Sequence, residues 1–93
     1  MQEKTFQIKN PMGLHARPSA TFVKHAAKFP CLVEVIKDGL TINGKSILGV
    51  MSLAAEKGST ITIRTSGKEE EEALTNLARL LENMTDEELK KQK

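Results

Sequence analysis

Apolar positions along this chain follow two alternating periods, and the switches between them mark out the elements. Thr5-Phe6-Gln7-Ile8-Lys9 alternates polar and apolar residues, as a half-buried strand does. Asn10-Pro11-Met12-Gly13 ends it, because Pro11 has no ladder donor and Gly13 permits unusual backbone angles. From Ala16 to Lys28 the period lengthens to that of a helix. Ser19, Phe22, Val23, Ala26 and Phe29 fall on one side, with Thr21, Lys24, His25 and Lys28 opposite. Pro18 fits the first helical turn and Pro30 terminates the helix. Cys31 to Ile36 is rich in strand formers, Asp38-Gly39 is a two-residue hairpin signal, and Leu40 to Asn43 is the returning strand. Gly44-Lys45 turns the chain again, and Ser46 is a good N-cap for a short apolar helix from Ile47 to Ala54. Thr60 to Thr65 alternates once more. After Ser66-Gly67 the acidic run Glu69 to Glu72 opens a last helix, where negative charge suits the positive end of the helix dipole. Its apolar stripe is Ala73, Leu74, Leu77, Leu80, Leu81 and Met84.

The predicted order is β-α-β-β-α-β-α, an α+β arrangement with helices covering one face of a four-stranded sheet. The hairpin makes strands two and three antiparallel neighbours; the pattern leaves the rest of the sheet order open. Residues 1–84 read as one domain and 85–93 as a charged tail in which Leu89 is the only apolar residue. Thr85 and Glu88 match a capping box, so one more helical turn competes with fraying there.

Composition narrows the function. At 93 residues the chain has room for one small core. Leu, Ile, Val and Phe make up about a quarter of it, above the level at which disorder is the default. With no Trp, no Tyr and 3 Phe, that core is aliphatic. The lone Cys31 forms no internal disulfide, and no CxxC or HxxxH spacing suggests a structural zinc site, so neither metal nor cofactor is expected. No apolar run is long enough for a bilayer span or a signal-peptide core, which favours a cytoplasmic protein without membrane insertion. A net charge of +2 without stacking aromatics argues against direct nucleic-acid binding. A generic α+β ligand- or RNA-binding domain is the bland alternative.

Gly13-Leu14-His15-Ala16-Arg17-Pro18 is the most informative stretch. His15 immediately precedes the helical period, so the amides of Ala16 and Arg17 are unpartnered donors at a helix start, and Pro18 supplies no third. Such amides favour an anion. A neutral imidazole beside them can act as a nucleophile toward a phosphoryl group, and the guanidinium of Arg17 would help to hold the product phosphate. Read plainly, the same residues are a loop histidine and a solvated arginine, and both readings stand at this point. His25, among lysines, reads as solvated surface, and Cys31 as a small core residue. Ser46 is at least an N-cap; phosphorylated, it would place a charge of about −2 at a helix start. If Val50 and Leu53 face inward, Ile47 and Met51 are left facing out as a partner surface, the alternative being a fully buried short helix.

The stretch Gly13-Leu14-His15-Ala16-Arg17-Pro18-Ser19-Ala20, together with Lys45-Ser46-Ile47-Leu48-Gly49-Val50-Met51-Ser52-Leu53, resembles the histidine-containing phosphocarriers (HPr) of the bacterial phosphoenolpyruvate-dependent sugar phosphotransferase system. The resemblance runs from about residue 2 to 84. It implies an open-faced β-sandwich with sheet order 1-4-2-3 and three helices on one face. It implies that His15 accepts phosphate on Nδ1 from enzyme I and passes it to enzyme IIA domains, with Arg17 assisting. It implies regulatory phosphorylation of Ser46 by an ATP-dependent HPr kinase/phosphorylase, which hinders transfer from enzyme I and promotes binding to a catabolite-control transcription factor. Ile47, Leu48 and Met51 match the family's apolar docking patch, and Ala16 and Ala20 flank the histidine on the same contact surface. A monomeric, non-enzymatic carrier is expected. Met12 stands where many relatives carry Ser or Asn, which removes a polar contact, and the tail runs past the usual end. Two alternatives share the motifs: a nitrogen-related phosphotransferase carrier, and a purely regulatory paralogue, against which His15 argues.

Overall fold

The computed structural model describes residues 1–8, 16–53, 56 and 58–83, with the backbone alone for 16–18, 82 and 83. The elements are β1 (Gln2–Gln7), α1 (Ala16–Ala26), β2 (Leu32–Lys37), β3 (Leu40–Asn43), α2 (Ile47–Ser52), β4 (Thr60–Ser66) and α3 (Glu70–Asn83). Lys9, the turn at 10–13 with Met12, His15, Ala54, Met84 and the tail 85–93 lie outside the described residues.

The strands form one antiparallel sheet in the order β1-β4-β2-β3. Alternation decides which face is covered. Phe6, Val33, Val35, Ile61, Ile63 and Thr65 point to one side and are buried, whereas Thr5, Glu34, Thr62 and Arg64 point to the other and keep access to solvent. All three helices lay their apolar stripes on the buried side: Phe22 and Ala26 of α1, Val50 of α2, and Ala73, Leu77 and Ala78 of α3 join one cluster with the strand residues. The core is aliphatic apart from Phe6, Phe22 and Cys31, in keeping with the composition. On the open face Arg64 sits between Glu3 and Glu34, with N···O distances of 3.1 and 3.7 Å, and Thr5 and Thr62 share a 3.0 Å hydrogen bond.

Local chemistry sets the element ends. Asp38 and Gly39 take φ of 50° and 82°, the left-handed pair that a two-residue hairpin demands. After α1 the chain tightens through Lys28 N–H to His25 O and Phe29 N–H to Ala26 O before Pro30. At the start of α3 the Glu70 carboxylate accepts the Gly67 N–H at 2.9 Å and lies 2.7 Å from the Met1 ammonium. The ammonium, then the Gly67 N–H, hold the Glu70 carboxyl below its usual range.

Four expectations are corrected. β1 is Gln2–Gln7 rather than starting at Thr5, because backbone pairing runs as far as Gln2 opposite Thr65 and Gln2-Glu3-Lys4 carries no apolar signal. Glu69 is not helical: it takes φ of 64° and α3 starts at Glu70. Cys31 lies just before β2 yet is buried with Val33 and Val35. His25 is half-buried rather than fully solvated; desolvation first, then Lys28 and Lys24, push its pKa down.

Two predictions follow from packing and charge. A Cβ on Gly44 would lie 2.6 Å from Val33 Cγ1 and 3.1 Å from Val33 O, so Gly44→Ala must lift the turn off β2. It should destabilise by about 1–3 kcal/mol in urea unfolding, as overpacking does; an unchanged midpoint would show that the turn moves freely. A His25 pKa that is lowered in the fold means that the folded state binds this proton less readily than the unfolded state. Its contribution is therefore neutral above the unfolded pKa of about 6.5, and stability falls as pH drops from there through the folded pKa. His25→Gln should flatten that part of the stability-versus-pH curve, and an identical curve for the variant would refute the assignment.

Candidate functional site

α1 begins at Ala16, the residue after His15. Ala16 and Arg17 are thus its first two helical residues, and the first turn contains no acidic residue to offset its positive end. Pro18 fits here without loss, since the first amides of a helix have no intrahelical acceptor. The side chains of Ala16 and Arg17, and all of His15, fall outside what is described. Ser19 is fully buried, which fixes the rotation of α1, and Ala20 next to it is exposed.

The sheet brings the end of β1 beside the residues that lead into β4. Ile8 N–H donates to Ser59 O and Gly58 N–H donates to Ile8 O, both at 2.8 Å. The chain leading into the His15 segment therefore departs beside the chain that returns from α2. α1 and α2 also pack against each other.

The second candidate, Ser46, is the N-cap of α2. Its backbone is extended, at φ −114° and ψ 120°, and its Oγ accepts the Gly49 N–H at 3.0 Å. A side-chain oxygen there replaces the acceptor that the helix start lacks. Three further contacts fix the preceding turn. Lys45 N–H donates to Asn43 Oδ1 at 2.8 Å, Ser46 N–H donates to Asn43 O at 3.1 Å, and Lys45 Nζ reaches Phe29 O at 2.6 Å. Asn43 and Lys45 were not singled out in the sequence. An Asn opening a Gly-Lys turn is an Asx-turn signal that could have flagged Asn43, whereas the contact with Phe29 crosses between elements and has no local signature.

α2 divides as its pattern suggests. Val50 and Leu53 are buried, while Ile47, Leu48 and Met51 keep 44%, 80% and 38% of their surface accessible. One short helix at the rim of a small sheet cannot bury every side, so these apolar residues stay at the surface. Leu32 of β2 and Leu40 of β3 are exposed too, away from α2 in sequence. Among the described residues no group of His, Cys, Asp and Glu could hold a metal ion, and no helix is long and apolar enough to cross a membrane.

Comparison with known proteins meets this geometry. A family model described as the PTS HPr component phosphorylation site matches residues 2–83. The HPr-like protein Crh of Halalkalibacterium halodurans is 46% identical over 82 residues, which cover 88% of this chain and 98% of that protein. The phosphocarrier protein HPr of Pseudomonas aeruginosa is 46% identical over 81 residues, or 86% of this chain and 90% of its own. A crystal structure of a phosphocarrier protein HPr from Bacillus anthracis matches with a TM-score of 0.82 at 48% identity, covering 86% of this chain and 95% of that one. Since the matched span takes in all four strands, all three helices and the His15 segment, the chain belongs to the HPr family of phosphotransferase-system phosphocarriers.

Proposed function

We propose that this chain carries a phosphoryl group on His15, taking it from phospho-enzyme I and giving it to enzyme IIA domains for sugar uptake. The observation that supports this reading is the start of α1 at Ala16, the residue that follows His15 in the chain, with no acidic residue in its first turn, within a family match named for a phosphorylation site. In the transfer, the bond from phosphorus to the donor histidine's nitrogen breaks as the bond to Nδ1 of His15 forms, in line. Nδ1 must be unprotonated to attack, and the donor nitrogen leaves with the electron pair. The amides of Ala16 and Arg17 and the Arg17 guanidinium hold the charged oxygens, so catalysis is positioning and electrostatics. The chain is then a covalent carrier that turns over no small substrate itself, and no metal or cofactor enters the scheme.

Ser46 is the regulatory position in this proposal, modified by an HPr kinase/phosphorylase and then recognised by a catabolite-control transcription factor. Ile47, Leu48, Met51, Ala16 and Ala20 form the docking surface. Exposure of the three α2 residues and of Ala20 supports that part. The carrier works as a monomer in the cytoplasm, because a face used by successive partners must be released each time. A second reading draws on the Crh relative: a regulatory protein in which Ser46 and the patch act and His15 is idle. The nitrogen-related branch would keep His15 chemistry and change the partners.

Incubation with enzyme I and phosphoenolpyruvate, followed by intact-mass measurement, separates these readings. One acid-labile phosphate, absent in His15→Ala, is expected. An unlabelled chain beside a labelled control carrier would sink the sugar-branch carrier and leave the regulatory and nitrogen-branch readings. In the same assay Arg17→Glu should slow labelling by about a hundredfold, the scale of losing a preorganised charge contact, while the melting temperature holds. Unchanged kinetics would remove Arg17 from the mechanism. For Ser46, kinase and ATP should add an acid-stable phosphate that vanishes in Ser46→Ala, and a wild-type chain left unlabelled by a competent kinase would refute the regulatory site.

A further inference from the structure

We infer that Asn43 is a positioning residue for the modification of Ser46: it locks the turn that presents the serine hydroxyl to a kinase. The inference rests on the reading of Ser46 as a phosphorylation site and adds a residue that the reading does not contain. Asn43 is exposed, so it fills no core volume, yet both of its carbonyl oxygens are used within the turn. Its side-chain oxygen takes the Lys45 N–H and its backbone oxygen takes the Ser46 N–H. The turn between them is clamped from below by Gly44, whose N–H donates to Val33 O at 2.7 Å. It is clamped from the side by Lys45 Nζ on Phe29 O.

The consequence falls on Ser46 Oγ. One lone pair accepts the Gly49 N–H, which leaves the O–H and a second lone pair for chemistry. In the transfer, Oγ bonds to the terminal phosphorus of a nucleoside triphosphate, the bond to the diphosphate leaving group breaks, and the hydroxyl proton passes to a base on the kinase. In-line attack needs Oγ at a fixed place relative to its partner, and rotation of the turn would remove it. Asn43 does not touch the reacting atoms. It acts by holding Lys45 and Ser46 in register with β3 and α2.

The test uses the full-length chain with an HPr-type serine kinase and ATP, following initial rates of acid-stable phosphate incorporation. Asn43→Ala should lower kcat/KM about fivefold, the factor that one net hydrogen bond corresponds to. Asn43→Gln should do the same, because its extra methylene cannot close the same turn. Asn43→Ser, which can accept the Lys45 N–H through a shorter side chain, should recover most of the rate. Labelling at His15 by enzyme I should be equal in all four proteins, which shows that the fold is intact. A purely structural role predicts rates that follow melting temperature across the three variants, with His15 labelling falling alongside. Asn43→Ala at the wild-type rate, or Asn43→Ser as slow as alanine, overturns the inference while leaving Ser46 a substrate. A wild-type chain that takes no phosphate overturns both.

Discussion

Ile61 and Ile63 of β4 lose all contact with solvent, and they can do so only because β4 is paired on both edges, by β1 and by β2. β1 and β2 both run antiparallel to β4 and so parallel to each other. The chain between them must cross over the sheet, and α1 is that crossover, leaving a slot that β4 fills later. Every helix then has one apolar surface available, the side that carries Val33, Val35, Ile61 and Ile63. Withdraw β4 and the crossover has nothing to cover.

That constraint also locates the chemistry. The end of β1 is hydrogen-bonded to the residues just before β4, so the segment leading to α1 leaves the sheet where the segment from α2 arrives. A helix start and the exposed side of a short helix are surface features, and neither requires a cavity. On the proposed carrier reading a shallow arrangement suits a nucleophile that is presented to larger partners, because a deep pocket would exclude a donor histidine. The small core serves as a platform: Ser19 buried and Ala20 exposed set the rotation of α1. Val50 and Leu53, buried below, leave Ile47, Leu48 and Met51 outside.

Much of this was legible in the chain because it depends on short-range chemistry. The hairpin at Asp38-Gly39, the cap at Ser46 and the strand at Thr60 need only a few neighbouring residues, and each lies where its pattern places it. The polar start of β1 was illegible because its stability comes from hydrogen bonds to β4, which a side-chain pattern does not report. Glu69 was misread for a related reason. Negative charge suits a helix start, but the turn from Gly67 needs another left-handed residue before the helix can begin. The burial of His25 depends on what packs over α1, and the sequence shows only its own face.

By itself the sequence determined the element order, the aliphatic core, the separation of inner from outer residues on α1, and the two motifs that identify the family. These are local periodicities and spacings, fixed by 3.6 and 2 residues per repeat whatever the rest of the chain does. Only the tertiary structure decided which strand lies between which, how far β1 extends, and that Lys45 reaches across to the end of α1 to steady the turn before Ser46. Those facts join residues far apart along the chain, through backbone hydrogen bonds and one ammonium contact. Their energy depends on proximity in space, which no local pattern encodes.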